Sequence, residues 1–175
     1  MALALPPRCL SVKFDPLIRD AVDTYWRDFR EPAFWKSQLC QESHLNPNAI
    51  SPVGAEGLAQ IMPRTYQEIV RQLKWDSALT AFDPERAIKA GAYYQGRMRR
   101  GWQPDGRTPE DRNRLGNAAY NAGMGSIIKA QHACRDARLW QDIQPCLYLI
   151  TGAQFARETT TYVENITRFS KELAE

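Results

Sequence analysis

The chain has 175 residues, 43% of them hydrophobic and 25% charged, which is enough for one well-packed domain and too little for two ordinary ones. A count of 23 basic against 20 acidic residues leaves a formal charge of +3, too modest to argue for nucleic-acid binding while not opposing approach to an anionic envelope. No apolar run reaches the length of a membrane-spanning helix, and Met1 to Leu10 lacks the basic start and apolar centre of a signal peptide.

Asp15-Pro16 reads as an N-cap with a first-turn proline, and Leu17, Ala21, Val22, Tyr25, Trp26 and Phe29 form the apolar stripe of a first helix. Pro32 separates it from Phe34 to Leu45, where Phe34, Trp35, Leu39 and Cys40 recur at helical spacing until Pro47 stops the helix. Glu42-Ser43 therefore falls on a last turn, where the partial negative charge of the helix end raises the energy of an ionised carboxyl. A solvated surface Glu is the plain alternative. Asn46 to Glu56, rich in Pro, Asn, Ser and Gly, is a long loop. It leads into Gly57-Leu58-Ala59-Gln60-Ile61-Met62-Pro63-Arg64-Thr65, which combines backbone freedom at Gly57, an amide, a thioether and a proline suited to opening a helix.

Pro63 to Leu73, Asp83 to Arg100 and Thr108 to Tyr120 read as further helices, the last opening with a capping-box-like Thr108-Pro109-Glu110-Asp111 and ending at Asn121-Ala122-Gly123. Ser126 to Cys134 follows, then a Trp140-containing loop, Pro145 to Ile150, and Glu158 to Leu173 with Tyr162, Ile166, Phe169 and Leu173 on one face. With no strand run in view, the expected fold is all-α, a single domain over residues 1–175 without linker, repeat or wall-binding module.

Arg97, Arg99, Arg100, Arg107, Arg112 and Arg114 cluster mid-chain as a solvated face or a contact for anionic wall or lipid head groups. Four cysteines allow three pairings. Cys134 and Cys146 lie close in sequence, leaving Cys9 with Cys40, while four buried thiols is the competing reading. Trp75, Trp102 and Trp140 are read as core or as platforms for sugar faces. His44 and His132 lack metal-ligand spacing, so neither metal nor cofactor is expected.

Glu42-Ser43, Gly57 to Thr65, Asp83-Pro84 with Ile88, Gly91 and Tyr94, Ala119-Tyr120-Asn121-Ala122-Gly123, and Glu158-Thr159-Thr160-Thr161-Tyr162-Val163 occur in this order. Taken together they resemble the lytic transglycosylases of the soluble-lytic, goose-type-lysozyme-like family over about residues 14–169. Two positions depart from that pattern: Ala87, where the family usually has Asn, and Glu56, an acid where it tends to be neutral or basic.

The resemblance implies a lysozyme-like helical fold and cleavage of the bond between N-acetylmuramic acid and N-acetylglucosamine in peptidoglycan. Glycoside hydrolysis ordinarily uses two carboxyl groups. The motifs here supply one. The implied solution has the muramic N-acetyl group assist departure and the sugar's own C6 hydroxyl attack, leaving a 1,6-anhydro end. Glu42 would first give a proton and later take one, which calls for a raised pKa. By motif match Ser43 would bond the N-acetyl or C6 region, Gln60 would orient the sugar and Met62 would wall the site. Tyr120 and Tyr162 would hold the carboxyl or substrate and Asn121 would contact the glycan, although Tyr162 also fits a core stripe and Asn121 a helix cap. The chain is expected to act as a monomer on glycan strands at the periplasmic wall, with release through a membrane lesion, as for a phage endolysin, one route there. A hydrolytic lysozyme using Glu56 and an inactive glycan-binding or assembly protein are the competing functions.

Overall fold

Proline marks where most helices begin, because its fixed φ suits a first turn and its missing N–H leaves no donor unpaired there. Pro16 is the second residue of α1 (Asp15–Tyr25), and Pro32, Pro63, Pro84 and Pro109 open α2 (Pro32–Ser43), α3 (Pro63–Leu73), α4 (Pro84–Arg100) and α5 (Pro109–Ala122). There follow α6 (Met124–Ala133), α7 (Trp140–Ile143), α8 (Leu147–Thr151) and α9 (Ala153–Glu172), with 3-10 turns at Pro7–Leu10 and Gln144–Cys146. The computed structural model describes residues 5–76, 78–103 and 106–174, so part of the Met1 to Leu10 segment lies outside the described residues. Among the described residues extended pairing is limited to isolated antiparallel bridges of Glu56 with Ile50 and with Ile61. The fold is all-α, as expected.

The chain forms two compact units, Met1–Tyr94 with Arg168–Glu175, and Gln95–Thr167. In the first, α1 packs on α2, and Ile18, Trp26, Trp35, Leu39, Leu58, Ile69 and Ile88 are buried. Fully burying side chains of this size stabilises the fold by about 1.5–3 kcal/mol each. Gly91 of α4 lets that helix close on Trp35, because a Cβ there would sit 2.6 Å from the Ala59 Cβ and 2.7 Å from the Trp35 ring. In the second unit α6 packs against α5 and α8 around Leu115, Ile127, Ile143 and Leu147. Polar groups are buried there too. Gln95 Nε2 donates to Asn117 Oδ1 at 2.8 Å, and Arg99 Nε to Asn113 Oδ1 at 2.6 Å.

Three sequence expectations are corrected. The first helix ends at Tyr25 and does not run on to Phe29, because Trp26 leaves helical geometry. Its ring is buried against Phe29, Phe34 and Trp35, with Nε1 donating to the Ala92 carbonyl at 2.8 Å. The Trp140 segment is no loop, since Trp140 opens α7 and is buried. Arginines 97 to 114 do not make a uniformly solvated face. Arg99 is only 3% exposed, and Arg112 Nε donates to the Trp102 carbonyl at 2.8 Å.

Cys9 is bonded to Cys40 and Cys134 to Cys146, each pair with Cα atoms 5.7 Å apart. The first bridge holds the Pro7–Leu10 turn to α2, and the second closes the segment between α6 and α8.

Candidate active site

Glu42 is the penultimate residue of α2, which stops because His44 and Leu45 both take left-handed backbone conformations, φ 51° and 56°. The Leu45 side chain turns inward and is buried, and Glu42 and Ser43 are half-buried. Ser43 Oγ donates to the Leu58 carbonyl at 2.8 Å and also lies 3.2 Å from the Leu39 carbonyl. This bond fastens the end of α2 to the Gly57–Ile61 loop. Both motifs thus meet in the first unit through one hydroxyl.

The loop is pinned from several sides. Glu56 N–H donates to the Ile61 carbonyl at 3.1 Å and Ile61 N–H returns a bond to the Glu56 carbonyl at 3.2 Å, closing a tight reversal. Gly57 has φ +70°, and a Cβ there would lie 1.9 Å from the Ala81 carbonyl oxygen, so only glycine fits. Gln60 also takes a left-handed conformation, φ 46°, unusual for a residue with a side chain. Its Nε2 donates to the Gly57 carbonyl at 2.9 Å and the Ala49 carbonyl at 3.2 Å, bonds that tie the loop's two sides together. Met62 caps α3 and stays 43% exposed, an apolar group left facing solvent beside this loop. Ala87, one of the two departures from the family pattern, is buried in α4.

The second unit carries the other motif residues. Asn121 stands in the last turn of α5, and its Oδ1 accepts from Thr159 Oγ1 of α9 at 2.8 Å, which joins the Ala119–Gly123 and Glu158–Val163 stretches. Gly123, φ +85°, then ends α5 and starts α6 without an intervening loop. Tyr162 is only 5% exposed, so its ring is core, whereas Tyr120 is half-buried. Trp102 and Trp140 are buried, which leaves neither as an open sugar platform, while Trp75 is half-buried with the Arg86 guanidinium 4.7 Å from its ring centroid. Thr159, which the sequence presents only as a member of the Glu158–Val163 stretch with no role of its own, is buried beside Asn121 and donates to it. Among the described residues no group of three or more His, Cys, Asp or Glu could hold a metal.

Solved structures carry the same helical arrangement. The 70-kDa soluble lytic transglycosylase of Escherichia coli matches 91% of this chain with a TM-score of 0.66 at 22% identity, using 25% of its own length. A complex of the 70-kDa soluble lytic transglycosylase with bulgecin A matches 91% of this chain with a TM-score of 0.70 at 25% identity, over 24% of that chain. Residues 31–143 match the transglycosylase SLT domain, and the chain belongs to that family. Among its relatives, the membrane-bound lytic murein transglycosylase F of Desulfosudis oleivorans is 30% identical over 85% of this chain. The protein of the same name from Marinobacter nauticus is 35% identical over 74%. This chain spans 31% of the length of the first and 27% of the second.

Proposed function

We propose that this chain is a lytic transglycosylase acting on peptidoglycan strands, cleaving after N-acetylmuramic acid and leaving 1,6-anhydro ends, with Glu42 as the single acid and base. The observation that carries this reading is the Ser43–Leu58 bond, which ties the Glu42 helix end to the Gly57–Ile61 loop in a chain whose relatives are named lytic murein transglycosylases. A carboxyl fixed on a helix end beside a rigid loop meets the first need of general acid–base catalysis, a proton held at a constant place. Ser43 gives its proton to Leu58 and so meets a sugar as an acceptor, through its remaining lone pairs. Gln60 supports the loop's shape through its amide nitrogen and meets substrate through its carbonyl oxygen. Met62 supplies apolar surface. In the second unit, Tyr120 and Asn121 are the residues assigned to substrate, Asn121 in the orientation that Thr159 enforces, and the buried Tyr162 supports them by packing.

One carboxyl suffices because the attacking C6 hydroxyl is tethered near the anomeric carbon, and such positioning replaces much of the activation an external water needs. Two disulfides suit the oxidising space where periplasmic wall lies. The chain acts there as a monomer. Mass spectrometry of peptidoglycan digests tests the reading. The expected fragments end in 1,6-anhydro-N-acetylmuramic acid, each lighter by one water than a lysozyme product. Reducing muramic ends that take up heavy oxygen from labelled water would assign the chain to hydrolysis instead, with Glu56 the first residue to examine.

A further inference from the structure

Glu42 stands between two fastenings of different kinds. One residue after it, Ser43 Oγ donates to the Leu58 carbonyl at 2.8 Å. Two residues before it, Cys40 is bonded to Cys9, which lies 31 positions earlier in the 3-10 turn Pro7–Leu10. Both cysteines are fully buried. The Cys40 carbonyl also accepts the His44 N–H at 2.9 Å and closes the turn that contains Glu42. The bridge is therefore attached to the same turn as the carboxyl.

The segment that supplies the other sulfur has little else to keep it in place. From Pro7 to Lys13, Cys9 is the one buried residue, with Leu10 64% and Val12 73% exposed. The hydrogen bonds that shape the segment are local, from the N–H of Cys9 to the Pro6 carbonyl, of Ser11 to Arg8 and of Asp15 to Val12. A single small buried side chain does not offset the entropy of ordering such a stretch, so the covalent bond is what keeps it on α2. Without that bond the segment lifts and the Cys40 side of α2 loses its cover. The Ser43–Leu58 bond then holds the helix end from one side only.

We infer that Cys9 is a positioning residue for Glu42, and that its bridge to Cys40 makes cleavage conditional on oxidising surroundings. The inference rests on the acid–base role proposed for Glu42. A monothiol such as glutathione opens the bridge by exchange. One thiolate attacks a bridge sulfur, forms a mixed disulfide and releases the other cysteine, which takes up a proton. A second thiol resolves the mixed disulfide, leaving two cysteine thiols and one oxidised glutathione. The reverse sequence closes the bridge.

The test uses the purified full chain in buffers from oxidised to reduced glutathione, at a temperature where it stays folded. Alkylation and mass spectrometry read the bridge, peptidoglycan cleavage gives kcat and KM, and deuterium uptake reports residues 7–13 and 40–45. Opening the bridge is expected to lower kcat at least about tenfold with KM little changed, because small displacements of a catalytic group cost rate steeply. Uptake should rise in both stretches, and reoxidation should restore kcat. Cys9→Ser, which is open in every buffer, should show the low kcat throughout. The double variant Cys134→Ser, Cys146→Ser should keep the response. Free thiols at Cys9 and Cys40 in protein purified without reductant would overturn the inference. So would equal kcat in Cys9→Ser and oxidised wild type, the result expected of a bridge that only adds stability. If oxidised wild type cleaves no peptidoglycan, the enzymatic reading fails, and uptake at 40–45 still decides whether the bridge holds the end of α2, with equal uptake in Cys9→Ser and wild type refuting it.

Discussion

Glu42 carries the chemistry proposed for this chain, and its place in the penultimate position of α2 is set by where that helix stops. Two successive left-handed residues, His44 and Leu45, end it, and the buried Leu45 explains why the turn is kept. Glu42→Gln preserves shape but removes the transferable proton. Lytic activity is expected to fall at least a hundredfold, with the far-ultraviolet circular dichroism and unfolding midpoint unchanged. Activity above a tenth of wild type would remove Glu42 from the acid role. Gly57 supplies a prediction about stability. A methyl group there meets the Ala81 carbonyl at 1.9 Å in a left-handed backbone, so Gly57→Ala forces the loop to move. About 2 kcal/mol or more of stability should be lost, from backbone strain plus the steric shift. Denaturant unfolding reads that loss, and a midpoint equal to wild type would refute the fit argued for Gly57. The need for glycine at 57 was visible in the motif, but the Ala81 carbonyl that imposes it lies 24 positions on and was not.

Among the elements, α3 begins and ends where the sequence indicates, at Pro63 and Leu73, because a first-turn proline and an amphipathic stripe are local signals. The α7 and α8 segments are different. Their helices are four and five residues long, too short to be stable alone, and they form where Trp140, Ile143 and Leu147 enter the core of the second unit. Pairing of Cys134 with Cys146 holds this stretch to α6. Replacing both cysteines by serine should lower stability by about 3 kcal/mol, the entropy that closing a loop of this length removes from the unfolded chain. A urea titration under non-reducing conditions measures it. Wild-type stability in the double variant, or two free thiols in the native wild-type protein, would disprove that contribution.

At the level of the whole molecule, three groups of the first unit give stability a common pH dependence. Hydrogen bonds that Lys89 donates to Glu85 and to Asp20 raise its pKa, so the charged lysine is favoured in the folded state. Its contribution is fully present below the unfolded pKa, about 10.4, and is lost as pH rises through the higher folded value. Burial raises the pKa of Tyr25 and Tyr66, whose phenols stay neutral in the fold while unfolded tyrosine ionises near pH 10. All three effects have the same sign. Stability should stay level from about pH 7 to 9 and fall above about pH 10, with a shallower fall in Lys89→Met. Thermal unfolding across that range checks it, and an unchanged midpoint at about pH 11 would contradict the assignment. The first unit also includes Arg168–Glu175, so it is built from two stretches of chain separated by the whole second unit. No local signal marks that return.

The sequence by itself determined the helical class, the starts of α2 to α5 near their prolines, and the positions of the Glu42-Ser43 and Gly57–Thr65 motifs. Those properties depend on neighbours within a turn or two, where periodicity, capping and proline geometry act directly. Tertiary structure alone decided what the polar side chains do. It spent the Ser43 hydroxyl on Leu58 and the Gln60 amide on Ala49 and Gly57, gave Asn121 its partner in Thr159, and buried Arg99 among helices where a solvated charge was expected. A hydrogen-bonding group takes whichever partner folding brings within about 3 Å, and that partner may stand anywhere along the chain.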